Sequence, residues 1–349
     1  MAPIAVDRSE KGKAFRKHYF IGIRWKTIVL LLFPAAIFIS SVSMASEGGF
    51  RFGPRDKAFG VHFIDGKRGW IVGDRGLAVM TADGGESWQG VTISEETFKD
   101  IFFIGEKGWI VGDGGLILHT DNGGKRWSKQ SSNVSVSLMS VLFLNRDKGF
   151  TVGADGTVLR TVNGGSSWEA VPLDWMGFLP DALIDRGVIS INLYDVFFLN
   201  DVSGWVVGDC GTVLYTEDGG NGWGISNIGL HPPLFSISFK DGREGWAVGQ
   251  NGFSIKTLDR GMTWEKASLG TEESLYRVRM YGDYGAIVGD HGVIFTSNNG
   301  VATWVKRSSN LKPPFPWLTD AWIFASATSA KVLSVGKGVT LTTMITRAK

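Results

Sequence analysis

One pattern returns six times along these 349 residues, and it restricts the possible folds more than any other feature. Its anchor tryptophans are Trp88, Trp127, Trp168, Trp223, Trp264 and Trp304, spaced by 39, 41, 55, 41 and 40 residues. The long gap holds an insertion from about Pro172 to Asn192. Each copy reads as four short strands. The first alternates with period two, so that Val61/Phe63, Ile101/Phe103, Val141/Phe143, Val196/Phe198, Ile237/Phe239 and Val278/Met280 share one face. The second and third form a hairpin, as in Gly69 to Thr81, where a Gly-Asp-x-Gly step supplies the positive φ of a tight reversal. Each copy closes on a Thr-x-Asp-Gly-Gly-x-x-Trp turn. Its Asp or Asn and Trp pairs are Asp83/Trp88, Asn122/Trp127, Asn163/Trp168, Asp218/Trp223, Asp259/Trp264 and Asn299/Trp304.

Four-stranded units of this size cannot bury both sheet faces alone, so they must pack face to face around an axis. The expected fold is all-β: a seven-bladed propeller over 46–349, built from six clear repeats and a degenerate closing blade. That last blade is read from Asp320 to Phe324, Lys331 to Gly336 and Val339 to Thr343. Its missing fourth strand is expected from Gly48 to Gly53, which would lock the ring without an open edge. The composition agrees with a folded chain, being 43% hydrophobic with 14 tryptophans and 48 glycines.

Residues 1–45 read as an address. Seven basic residues from Arg8 to Lys26 precede a 13-residue apolar run, Thr27 to Ile39, and Ser43 and Ala45 suit cleavage after Ala45. A bilayer-crossing helix needs ~20 apolar residues, so a signal peptide is expected, an uncleaved anchor being the alternative. The expected location is periplasmic or thylakoid-lumen-like. Without that segment the chain holds 29 basic and 32 acidic residues, so no positive field speaks for nucleic acid. Cys210 is the single cysteine, and the five histidines show no zinc spacing, so no disulfide, metal or cofactor is expected. The Gly-x-x-Gly runs precede strands rather than helices, which speaks against nucleotide binding.

The closing turns look like the Asp-box shared by several propeller families. Their Asp or Asn is read as satisfying its own turn, with the Trp packing on neighbouring strands. The string Gly-Trp-x-Val-Gly-x-x-Gly, an alternating strand and the closing turn together resemble the photosystem II stability/assembly factor family, over about Lys57 to Thr343. Phe150 and Ala286 depart from it in the Trp place. The resemblance implies a non-catalytic, monomeric, exported protein, peripheral to the membrane, that holds subunits of a membrane-protein complex during assembly. The client is photosystem II-like or, in another setting, a transporter.

The expected contact surface is the face carrying the hairpin turns and the segments leading into the inner strands. It holds Asp74, Asp113, Asp209 and Asp290 in the turns, which turn geometry alone accounts for. Beside them are Asp100, Tyr194, Asp195, Tyr276, Arg277 and Asp320, with Arg279 on the alternate side of its strand. Trp175 and Phe178 of the insertion are read either as a docking surface or as packing on their own blade. The rival function is an exported Asp-box glycoside hydrolase, sialidase-like, with Tyr276, Arg277 and Arg279 as its cluster. Against it, Arg51-Phe52-Gly53-Pro54 matches the sialidase arginine motif poorly.

Overall fold

The computed structural model describes residues 38–41, 49–227, 229–299, 303–309, 311–313 and 315–346. Apart from Phe38–Ser41, the 1–45 segment and its cleavage position lie outside these residues. The backbone of Phe38–Ser41 pairs antiparallel with Arg126–Gln130. No helix among the described residues is long and apolar enough to cross a membrane.

Seven antiparallel sheets follow one another. Blade 1 comprises Ala58–Phe63, Gly69–Gly73, Ala78–Thr81 and Gln89–Gly90, and blade 2 Phe98–Ile104, Lys107–Gly112, Ile117–Thr120 and Arg126–Gln130. The inner strands of blades 3 to 7 are Leu138–Phe143, Leu193–Phe198, Leu234–Phe239, Leu275–Tyr281 and Leu318–Ala325. Blade 7 adds Ser329–Gly336 and Val339–Thr346 and has three strands among the described residues. Blade 7 and blade 1 close the ring through Val61 N–H to Asp320 Oδ2 at 2.9 Å and Thr319 Oγ1 to the Ala58 carbonyl at 2.6 Å.

The expected fourth strand of blade 7 is not where the sequence reading put it. Phe50 N–H donates to the Trp88 carbonyl at 2.6 Å, so this stretch runs beside the outer end of blade 1. The physical reason is a better apolar seat: Phe50 and Phe52 pack on the Val61, Phe63 and Trp88 cluster.

Blades are held by an aromatic relay. In blades 1 to 4 the middle-strand aromatic lies on the inner-strand Phe of the next blade, with that blade's closing Trp edge-on to the pair or to one of its rings. Trp109 stacks on Phe143 at 3.5 Å between centroids, and Trp168 meets Phe143 at 87°. Trp205 with Phe239 and Trp264, and Phe150 with Phe198 and Trp223, repeat it. Ala286 stands where the relay wants a tryptophan, at the junction where blade 7 brings no closing Trp. Tyr284, in a place held by Lys107 and Lys148 elsewhere, is buried instead beside Ile323, Ala330 and Ile345.

The closing turns behave as their sequence requires. Asp83 Oδ1 accepts from the backbone of Glu86 at 3.0 Å and Ser87 at 2.9 Å, while Thr81 Oγ1 accepts from Gly85 N–H. The Ser87 hydroxyl, which also donates to Asp83, and then these backbone donors hold the Asp83 carboxyl far below its usual range. Asn122, Asn163, Asp218, Asp259 and Asn299 accept the equivalent N–H.

The insertion folds down on its own blades. Leu179, Leu183 and Ile191 are buried with the cores of blades 3 and 4, and Trp175 and Phe178 pack on that cluster. The Trp175 indole lies against Gly156 of the blade 3 hairpin, where a Cβ would come within 2.2 Å of Nε1.

The Ala286 site is fully buried and already filled by its neighbours. Restoring the repeat's residue with Ala286→Trp is therefore expected to lower stability by ~1–3 kcal/mol, as overpacking does, when urea unfolding of variant and wild type is compared. An increase in stability would mean that blade 6 holds an empty tryptophan seat.

Candidate functional site

Seven equivalent β-bulges build the axis. In each inner strand the register skips one residue, between Ala58/Gly60, Phe98/Asp100, Leu138/Ser140, Leu193/Asp195, Leu234/Ser236, Leu275/Arg277 and Leu318/Asp320. A bulge re-aims the side chains beside it. Here it generates two seven-membered layers. The skipped residues are half-buried: Phe59, Lys99, Met139, Tyr194, Phe235, Tyr276 and Thr319. The residues after them are Gly60, Asp100, Ser140, Asp195, Ser236, Arg277 and Asp320, all buried except the partly covered Arg277.

The hairpin turns sit on the same side as the skipped residues. In blade after blade the first N–H of the turn donates to the carbonyl leading into the inner strand, as Asp74 does to Lys57 at 2.9 Å and Asp290 to Ser274 at 2.8 Å. Tyr194 and Tyr276 donate their hydroxyls to the turn carboxylates of Asp209 at 2.9 Å and Asp290 at 3.0 Å. Burial, and then the Asp290 carboxylate, push the Tyr276 phenol up to about 12. Phe235 lies between the two rings, 5.3 Å from Tyr194 and 5.7 Å from Tyr276, which makes a continuous aromatic arc. Across the ring, Phe59 stacks on Trp317 at 6.1 Å and lies under the Lys99 ammonium at 5.2 Å. Asp74 and Asp113 are tied to Thr97 and Ser137 of the following blades.

The second layer is a stitched network. Asp100 Oδ2 accepts from Val141 N–H at 3.0 Å, Asp195 Oδ2 from Ile237 N–H at 3.1 Å, and Ser236 Oγ from Val278 N–H at 3.2 Å. With the Asp320 bond to Val61, each of these ties one blade to the next. Ser140 Oγ lies 3.2 Å from Asp100 and 3.1 Å from Asp195. Arg277 crosses the axis: its guanidinium donates to Asp195 Oδ1 at 3.2 Å, and Nε stands 2.9 Å from Asp320 Oδ1, close enough for ion pairing though out of line for a well-formed hydrogen bond. Three buried carboxylates thus face one deeply set cation, whose own pKa they raise against the effect of burial. At the blade 1 and 2 junction, Gly60 lets the chains approach; a Cβ there would stand 3.1 Å from the Asp100 Cα.

Beyond this layer, on the side away from the hairpin turns, lies a cavity of about 280 Å³. His62, Phe102, Phe197, Arg279 and Trp322 are among its walls. Arg279 lies over the Trp322 ring at 4.8 Å and reaches Asp320 at 3.3 Å. Burial, then the Arg279 charge, lower the His62 pKa to about 3, so this ring is neutral.

The residues singled out in the sequence therefore separate. Tyr194 and Tyr276 lie on the hairpin-side rim; Asp100, Asp195, Arg277 and Asp320 form the stitched layer; Arg279 lies beyond it; Trp175 and Phe178 are on the blade 3 and 4 periphery. Phe235, Phe59 and Trp317 on the rim, and Ser140 and Ser236 in the layer, were missed. Aligning the repeats on the residue after the first buried Leu or Phe would have found Phe235 beside the two tyrosines. Among the described residues no group of His, Cys, Asp or Glu could hold a metal ion.

This architecture is that of a seven-bladed propeller with a closed polar axis. The chain belongs to the family described as photosynthesis system II assembly factor YCF48, whose model matches residues 52–136 and 182–304. Among solved structures, the complex described as YCF48 bound to D1 peptide has a TM-score of 0.64 at 20% identity, covering 90% of this chain and 99% of that one. YCF48 from Cyanidioschyzon merolae gives 0.63 at 19%, with 88% and 99% covered. An ancestral GH74 enzyme gives 0.64 at 15%, covering 85% of this chain and 46% of its own. No curated protein matches this chain significantly.

Asp100 has no cation in direct contact, and Ser140 has one proton for two carboxylates. Burial raises the Asp100 pKa to about 6, Arg277 opposing and Asp320 adding to the rise. A carboxyl whose pKa is higher folded than unfolded contributes stability below about pH 4 that is lost as pH rises through about 6. Wild type is therefore expected to lose on the order of 3 kcal/mol relative to Asp100→Asn between pH 4 and 7 in parallel urea titrations, from the shift of about two units. A pH-independent difference would place the Asp100 proton elsewhere.

Proposed function

We propose that this chain is an exported, non-catalytic assembly factor that holds an extended segment of a membrane-protein subunit against its hairpin-side rim. The observation that carries the reading is the family match over more than half of the chain. Peptide capture, as in the complex of YCF48 with D1 peptide, is the activity that the rim suits. The Tyr194, Phe235 and Tyr276 arc offers half-exposed apolar surface whose hydroxyls are already anchored, and Lys99 adds a cation at the same mouth. Aromatic anchors with a polar surround are the composition of protein-binding surfaces. Residues 1–45 support delivery to the periplasm or a thylakoid-type lumen, with the propeller peripheral to the membrane.

The glycoside hydrolase reading has fold-level support in the GH74 neighbour. The geometry favours it less. Hydrolysis needs two carboxylates that can reach a scissile bond, or a tyrosine nucleophile with free arginines. Here Asp100, Asp195 and Asp320 are engaged by backbone N–H groups, and Arg277 is held by two of them. Tyr276 and Arg279 lie on opposite sides of that layer.

Crosslinked affinity purification of the tagged protein from envelope membranes is expected to recover a membrane-protein subunit. Phe235→Ser should lower that recovery about ten-fold with little change in unfolding midpoint, since a central aromatic anchor is worth about 2 kcal/mol or more to binding. Recovery of no membrane protein, or turnover of a fluorogenic glycoside abolished by Tyr276→Phe, would overturn the reading.

A further inference from the structure

The alternation that follows the seven bulges produces a third layer around the axis. Two residues beyond each member of the stitched layer, on the same face of the inner strand, stand His62, Phe102, Leu142, Phe197, Ser238, Arg279 and Trp322, one from each blade in order. All of them line the cavity of about 280 Å³ on the side away from the hairpin turns. Small-molecule pockets begin at about 300 Å³, so the space suits one compact ligand. Tyr281, an exposed residue at the end of its strand, lines the cavity too, so the space reaches the surface on the side of the closing turns.

Its chemistry is divided by sector. Blades 7, 1 and 2 supply a contiguous aromatic wall, with His62 at 4.6 Å from the Trp322 ring and 4.9 Å from Phe102. Burial, then the Arg279 charge, keep that imidazole neutral. Leu142 and Phe197 continue the apolar lining on blades 3 and 4. In this layer the polar side chains are those of blades 5 and 6, and both have donors to spare. Arg279 uses one guanidinium N–H, from Nη2 to Asp320 at 3.3 Å, while its Nε–H is buried with no partner among the described residues. Ser238 Oγ accepts from Met280 N–H at 3.1 Å, which leaves its own proton to give. The carboxylates below offer less. Asp100 and Asp195 already accept through both oxygens. In charge, Asp195 and Asp320 are balanced by Arg277 and Arg279, and Asp100 is the carboxyl that burial holds towards its neutral form.

We propose that this cavity is a binding site for a small aromatic carboxylate, its ring system against the Phe102, His62 and Trp322 wall and its carboxylate on the Arg279 guanidinium and the Ser238 hydroxyl. A buried donor without a partner calls for an acceptor, and the planar guanidinium fork matches a carboxylate best. The wall selects the rest of the ligand, because rings pack edge-on or offset against rings. A cationic ligand would meet the Arg279 charge, and a purely polar one would strip water from its own groups against an apolar lining. Such a ligand touches a residue of every blade, so it ties the ring together from inside. The site is separate from the hairpin-side rim and does not depend on the client-holding reading.

The test uses the full chain and 2-naphthoate, followed by titration calorimetry at about pH 6. One site per chain is expected. Binding should be at least ten-fold weaker for 2-naphthamide, which keeps the rings without the charge, and for acetate, which keeps the charge without the rings. Arg279→Met should weaken naphthoate at least ten-fold. Because Arg279 also meets Asp320, a second variant leaves every polar group in place: Leu142→Trp fills the cavity from blade 3 and should abolish binding. Naphthoate should also raise the unfolding midpoint of wild type and leave that of Leu142→Trp unchanged, since a ligand that binds only the folded chain stabilises it. Absence of naphthoate binding, equal binding of the amide, or binding that survives Leu142→Trp overturns the proposal. So does a neutral disaccharide that binds in the cavity where naphthoate does not.

Discussion

The ring depends on a polar layer, not only on its hydrophobic wedges. Blade-to-blade packing is non-directional, and stacked aromatics would tolerate a range of tilts. The layer after the bulge does not. Asp100, Asp195 and Asp320 each accept a backbone N–H from the neighbouring blade, and Arg277 reaches Asp195 and Asp320 from a third. Hydrogen bonds to charged groups are worth about 1.5–3 kcal/mol each, and the cost of leaving such a group unpaired when buried is larger. The network therefore fixes the register of the inner strands around the axis, and with it the positions of the rim residues one step earlier in each strand.

That coupling is what links the fold to the proposed function. The bulge that buries Asp195 also holds Tyr194 half-exposed on the rim, and the one that sets Arg277 on the axis does the same for Tyr276. The rim tyrosines are pinned to hairpin carboxylates, which on the proposed function lowers the ordering cost of binding a client segment. The same layer, through Asp100, Ser140, Asp195 and Arg277, forms part of the wall of the 280 Å³ cavity on the side away from the rim.

Most of the architecture was legible in the amino-acid sequence. Tryptophan spacing, the period-two inner strands and the Gly-rich turns gave the blades, because each is a local demand of one residue type on its own backbone. The axial layer was not legible as such. Asp100, Asp195, Arg277 and Asp320 were read as rim residues, because a bulge inserts one residue into an alternation and moves everything after it to a different environment. Their chemistry also differs from copy to copy, Gly, Asp, Ser or Arg at one repeat position, so no single copy shows the network. The fourth strand assigned to blade 7 failed for another reason: Phe50 and Phe52 have an apolar seat on blade 1, and no local pattern shows which sheet edge a short segment will choose. Trp175 and Phe178 were ambiguous for the same reason; Gly156 leaves room for the indole, and both side chains pack on the blade 3 and 4 cluster while staying partly exposed.

The central claim is that Arg277 is the keystone of the axis. Urea unfolding of Arg277→Met at neutral pH measures it most directly. The account predicts a loss of about 3–5 kcal/mol, the cost of leaving Asp195 and Asp320 buried without their cation. A variant within about 0.5 kcal/mol of wild type, the scatter of an ordinary surface substitution, would contradict it.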